Sequence, residues 1–178
     1  MINKSEDIIA IKLDDWLVKS KDGDDESLGR LYSELKRPIF VLALSIVNDY
    51  QVAEDILQET FIKIMNNSEG YKKGSNAKAW IMTIARNISL NHLKKVKREE
   101  IRDDLAISGD GNFTEEVEST MEFLRLIEEL NQEEKEIVAL RLSAGISHMQ
   151  ISKLLNISLL NVRAKYSRAI KKLKKVVK

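Results

Sequence analysis

Cysteine is absent from the 178-residue chain, which excludes a disulfide framework, thiol catalysis and thiolate metal sites together. Histidine is scarce: His92 and His148 are the only two, too few for a histidine metal cage, and no metal or cofactor is expected. Proline occurs once, at Pro38, and glycine seven times; alternating Val/Ile/Thr patterns are missing, so the punctuation of a β fold is not there. The longest apolar run, Ile39 to Val47, is nine residues and includes Ser45, against roughly 20 for a membrane span. The start, MINKSEDIIA, has no basic stretch leading into an apolar one, so neither a signal peptide nor membrane insertion is expected, and the expected location is cytoplasmic. Glycine-rich phosphate loops, paired histidines and nucleophile–base pairs are also missing. An enzyme is therefore not expected, nor a small-molecule substrate.

What is present is charge, in blocks. The net charge of +1 hides a segregation along the chain. Residues 1–70 carry a surplus of acids, residues 71–98 hold eight bases and no acid, residues 99–136 hold fourteen acids against three bases, and residues 137–178 hold ten bases and no acid. Two acid-free basic segments separated by an acidic one offer a polyanion two attractive surfaces.

Helical spacing fills most of the remainder. Leu28, Leu31, Tyr32, Leu35, Ile39, Leu42 and Ile46 follow the i, i+3, i+4, i+7 rule, with Pro38 expected to bend or interrupt the helix. Ala53, Ile56, Leu57, Thr60, Phe61 and Ile64 form a second stripe, Ala77, Ile81, Ile84, Ala85 and Ile88 a third, and Val117, Met121, Leu124, Ile127 and Leu130 a fourth. Such stripes are the core faces of packed helices, and the fold class is all-α. In the loop KDGDDES at 21–27, Asp25 or Ser27 is the expected helix cap. Between about Lys97 and Thr114 the periodicity fails around Gly109 and Gly111, which predicts a linker between two small helical domains.

Residues 131–178 divide into three helical pieces. Glu133 to Ala144 is periodic, with Gly145 suited to its end. Ser147 can cap a short helix to Leu154, Leu155-Asn156-Ile157 forms a tight turn, and Ser158 can cap a long final helix. A short helix, a three-residue turn and a longer basic helix make a helix-turn-helix. Ser152 supplies a small residue where the two helices cross, Asn156 tolerates positive φ in the turn, and Val162 faces the first helix. On the final helix Asn161 and Arg163 are suited to base edges, and the later lysines to phosphates. Upstream, Asp55, Gln58, Glu59 and Ile62 share one face of a helix, a surface suited to a partner protein. In the first basic segment, Tyr71 and Trp80 flank a small polar loop, Lys72 to Asn76. Aromatics beside cations suit single-stranded nucleic acid, because bases stack and phosphates pair.

Four pieces in order (KSKDGDDESLGRLY, AEDILQETFIKI, YKKGSNAKAWIMTIARNISLNHLKK, and LNQEEKEIVALRLSAGIS followed by the helix-turn-helix) resemble the extracytoplasmic-function (ECF) type of bacterial RNA polymerase sigma factor, from about Leu13 to Leu173. The resemblance implies a core-polymerase and −10 domain over residues 1–97, an acidic linker over 98–114 and a −35 domain over 115–178. By position it implies that Asp55, Gln58 and Glu59 grip the polymerase clamp helices. Tyr71, Lys72 and Asn76 then belong to the loop that captures a flipped base of the −10 element. Trp80, Arg86, Asn87, Asn91 and Lys94 line the start of melting, and Asn161, Arg163, Lys165 and Arg168 read the −35 element. The implied partners are RNA polymerase core, promoter DNA and an anti-sigma factor. The chain departs from the family's usual Glu-Ile-Ala at Gln150-Ile151-Ser152, from Gly-Thr-Val at Leu160-Asn161-Val162, and from Lys-Ser-Arg at Arg163-Ala164-Lys165, so the −35 sequence does not follow from the likeness. The rival expectation is a stand-alone helix-turn-helix regulator, which leaves residues 54–95 without a role.

Overall fold

The computed structural model describes residues 4–67, 70–99 and 115–176. Among them the backbone is helical, with eight α-helices and no strand: α1 (Lys4–Lys21), α2 (Asp25–Val47), α3 (Tyr50–Asn67), α4 (Ala77–Glu99), α5 (Glu115–Ile127), α6 (Gln132–Val138), α7 (His148–Leu155) and α8 (Leu159–Val176). Helices α1–α4 form one bundle and α5–α8 a second, smaller one. The segment from 100 to 114, most of the expected linker, lies outside the described residues, while α4 continues through Glu99.

Helix α2 organises the first bundle. Its N-cap is Asp24, extended at φ −79° and ψ 94°, which accepts the Glu26 N–H. Asp25 is thus the first helical residue and not the cap, and the buried Ser27 donates to Asp24 at 2.6 Å to hold the cap in place. Of the two outcomes expected from the missing N–H of Pro38, a bend or an interruption, the interruption does not occur, since α2 runs unbroken through it. The lost bond costs about 3 kcal/mol, but Leu35, Ile39, Val41 and Leu42 around it are all buried, each contributing roughly 1.5–3 kcal/mol. Packing outweighs the local defect.

From Val41 to Ile46 every α2 residue is buried. A helix that is apolar all round must be covered all round, and two bundles do the covering. Leu13, Leu17, Ile64, Ile81 and Ala85 from the first bundle share a continuous cluster with Ile137, Leu140, Ile146, Ile151 and Val162 from the second. Met121 and Leu124 of α5 pack on Ala43, Leu44, Ala53, Ile56 and Ile88. The Gln132 amide also donates to the Ser45 carbonyl at 3.2 Å. Tyr32, by contrast, belongs to the α2 stripe yet is 45% exposed.

In the second bundle the expected helix 133–144 is split. An Asn131–Glu134 capping box starts α6, and Ala139–Ser143 form a π-helical turn, with the Ala144 N–H reaching back to the Ala139 carbonyl. Gly145 at φ +68° then ends it. Ser147 and Gln150 form a reciprocal capping box on α7, a role that glutamine and glutamate fill alike. Asn156 sits at φ 55° and ψ 44°, as the turn requires. Ser152 does more than fit, since its hydroxyl donates to the Ile157 carbonyl at 2.6 Å and fastens the turn.

Candidate nucleic-acid and partner interfaces

On α3, Asp55 and Gln58 are exposed and Glu59 half-exposed, while Ile56, Thr60 and Ile64 face the core. Glu59 also has partners within the chain, pairing with Lys63 on the same helix at 3.1 Å and approaching His92 of α4 at 3.5 Å. Ile62 continues the face and is 59% exposed. It borders an open groove of about 610 Å³ between α2 and α3, lined by Leu28, Tyr32, Phe61, Ile62 and Met65. The Tyr32 and Phe61 rings meet at 5.0 Å. The sequence pattern counted Tyr32 as core, and Met65 carried no signal.

The loop between α3 and α4 is a tight structure. Ser75 folds back on Lys72, its N–H at 3.0 Å and its hydroxyl at 2.6 Å from the Lys72 carbonyl. Gly74 and Asn76 adopt φ +82° and +70°. Asn76 caps α4, its side-chain oxygen accepting the Ala79 N–H at 2.9 Å. Lys72 is exposed, as expected of a nucleic-acid contact. Tyr71 is not: it is 6% exposed, part of the core, with its ring 5.3 Å from that of Trp80. Its hydroxyl donates to Asp14 of α1. Burial first, then the Asp14 hydrogen bond and charge, push the phenol up to about 12. A ring held this way supports the loop from beneath and has no free face for a base.

Along α4 at about 100° per residue, Trp80, Asn87, Asn91 and Lys94 fall in one stripe; Asn87, Asn91 and Lys94 are exposed and Trp80 half-buried. Arg86 stands about 120° round from them and faces the second bundle. Its Nε donates to Glu136 of α6 at 2.6 Å, with the side chains only 21% and 5% exposed. Glu136 also accepts from Gln132 at 3.2 Å. In this arrangement Arg86 joins the two bundles and is not part of the exposed stripe.

On α8, Asn161, Arg163 and Arg168 are exposed and Val162 fully buried against α7. Lys165 departs from expectation: its ammonium is bonded to Glu133. Lys172 likewise pairs with Glu134 at 2.7 Å. The cause is the acidic first turn of α6, which packs along α8. Burial pushes the Glu134 carboxyl up, but the Lys172 bond, the Asn131 N–H and the Lys172 and Arg168 charges outweigh it and leave it below its ordinary value. Leu160, marked in the sequence only as a departure at the start of this helix, stands 78% exposed as an outward apolar side chain. His148, 4.9 Å from the Tyr166 ring, is shifted down by burial and then by Arg141 and Arg163. Among the described residues no helix is long and apolar enough to cross a membrane.

Two family models match the chain, sigma-70 region 2 over residues 31–99 and sigma-70 region 4 over residues 120–173. The chain belongs to the ECF sigma factors. Among curated relatives it is 28% identical over 153 residues to the ECF RNA polymerase sigma factor SigM of Bacillus subtilis, covering 83% of this chain and 93% of the relative. It is 26% identical over 140 residues to EcfG of Rhodopseudomonas palustris, covering 74% of each. Among solved structures the fold is similar to the sigma factor RpoE of Bartonella quintana in complex with the anti-sigma factor NepR (TM-score 0.66, 22% identity, 84% of this chain and 95% of that one). It is also similar to CnrH in complex with the cytosolic domain of CnrY (TM-score 0.67, 16% identity, 93% and 97%). The protein is a sigma subunit. The stand-alone regulator is not favoured, because the first bundle has a family match of its own.

Proposed function

We propose that this sigma factor binds RNA polymerase core, recognises the −35 and −10 promoter elements and starts DNA melting, without performing chemistry itself and from a cytoplasmic location. Residues up to about 97 act as the core-binding and −10 module, 98–114 as linker, and 115–178 as the −35 module. Asp55, Gln58 and Glu59, extended by Ile62 and the adjoining groove, hold the polymerase. Lys72 and Asn76 of the loop meet the displaced strand together with Trp80, Asn87, Asn91 and Lys94, while Tyr71 supports them from within. Asn161, Arg163 and Arg168 address the −35 duplex, which Lys165 joins only on leaving Glu133, as Arg86 joins the −10 set only on leaving Glu136. Leu160 adds an apolar group suited to a thymine methyl. A regulatory protein of the anti-sigma kind is the proposed inhibitor, in keeping with the complexes named for the structural neighbours.

The observation that carries this reading is the α4 stripe, exposed amides and a cation in line with a half-buried tryptophan and beside an exposed loop, in a segment of eight bases and no acid. Opening a base step costs about 1.4 kcal/mol, and stacking on an aromatic returns roughly 1–3 kcal/mol per base. One or two captured bases offset one or two lost steps, and the polymerase supplies the rest. The test is a pull-down with polymerase core followed by run-off transcription on genomic fragments. Association and a discrete set of transcripts are expected; no association at low ionic strength would overturn the proposal. Trp80→Ala is expected to reduce permanganate reactivity of the −10 region more than duplex binding, and an unchanged footprint would remove Trp80 from the site.

A further inference from the structure

We infer that Asp14 is a positioning residue for the base-capture loop, fixing the shape in which residues 72–76 meet the displaced strand; this rests on the proposed reading of that loop. The basic segment 71–98 contains no acid of its own, yet the fold brings two carboxylates to it from α1. Asp15 takes the Lys73 ammonium at 3.2 Å. Asp14 is tied in more closely, accepting the Tyr71 hydroxyl and lying 3.0 and 3.2 Å, through its two oxygens, from the Gly74 N–H. One carboxylate thereby fastens both the entrance and the apex of the loop.

A negative charge beside a surface meant for a polyanion lowers the attraction, so its position calls for a compensating gain. That gain is conformational. Residues 72–75 are exposed, and Gly74 and Asn76 occupy left-handed φ, a region these two residue types enter more readily than others but which neither is confined to in a free chain. An untethered loop of this kind would have to be ordered as the strand binds, at a cost in affinity. Asp14 orders it beforehand. Because the Tyr71 ring rests on Trp80 at 5.3 Å, the same tether aligns the loop with the α4 stripe. The carboxylate touches no base in this arrangement; it acts through Tyr71 and Gly74.

The test uses holoenzyme assembled from polymerase core and the full chain, selected on a duplex library randomised across both promoter elements and then sequenced. Asp14→Ala is expected to keep polymerase association and the −35 motif but lose about tenfold in preference at the −10 position the loop reads, the size of one charge-assisted hydrogen bond. Asp14→Asn keeps an oxygen acceptor without the charge and is expected to recover part of the preference. Tyr71→Phe, which loses one bond only, falls in between. Undiminished −10 preference in Asp14→Ala overturns the inference. Should that variant fail to fold, undiminished preference in both Asp14→Asn and Tyr71→Phe does so. Lys72→Ala and Asn76→Ala separate the two levels: no change in either overturns the loop reading and this inference with it, whereas a loss in both with none in the Asp14 variants overturns this inference alone.

Discussion

Tyr71 and Asn156 each satisfy a local constraint that an assay can isolate. The Tyr71 phenol has its ordinary value of 10 raised to about 12 by burial and by Asp14. A group whose folded pKa is raised contributes stability in full below its unfolded pKa and loses it as pH rises through the folded one. The stability difference between wild type and Tyr71→Phe is therefore expected to be constant up to about pH 10 and to shrink towards pH 12, read from urea midpoints. Tyr50 is also raised, by burial and Glu54, so the absorbance titration of the four tyrosines needs the Tyr71→Phe curve to identify the Tyr71 step. At Asn156, φ 55° brings the Cβ of any residue close to the following carbonyl, a cost that asparagine's short polar side chain lessens and glycine avoids. Asn156→Ala is expected to lower stability by about 1–2 kcal/mol, and Asn156→Gly to leave it level or raise it; thermal melts with CD detection decide.

Among the elements, α6 and α8 are bound by charge as well as packing. Because the Glu134 carboxyl lies below its ordinary value, it stabilises the fold above that value and loses the contribution as pH falls through the depressed one. Glu134→Gln is expected to flatten the acid limb of the stability profile in urea titrations run from neutral to acidic pH. The stripes of α2, α3, α4 and α5 were legible as sequence because helical periodicity is local, and the turn at Asn156 was legible because its chemistry is carried by one residue. That α2 would run unbroken through Pro38 was not legible, since the burial that carries it comes from distant helices. The π turn at Ala139–Ser143 had no local signature. The candidate sites divide in the same way. Trp80, Asn87, Asn91 and Lys94 were placed at the site by the family resemblance, which set Arg86 beside them, but the engagement of Tyr71 by Asp14, of Arg86 by Glu136 and of Lys165 by Glu133 spans 57, 50 and 32 residues. No periodic pattern reports a meeting of that kind.

At the scale of the whole molecule, electrostatics and the contact between bundles set the behaviour. Phosphate neutralisation makes promoter affinity fall with salt, and replacing Lys94 or Arg168 by alanine is expected to lessen the slope of log K against log salt by about 1 each, measured by anisotropy of a labelled promoter with holoenzyme. Glu136→Ala strands a largely buried guanidinium and is expected to cost about 2–3 kcal/mol in urea unfolding, less than a fully buried pair because Arg86 keeps some water. The same change releases Arg86, so promoter affinity of the holoenzyme is expected to hold or rise. The ring of cover around Val41–Ile46 reaches further than either effect. A fragment cut after Glu99 would bare a greasy ridge, and such fragments should clump in light scattering where the intact chain stays monodisperse. Any machine that pulls the two halves apart inherits the task of shielding that ridge.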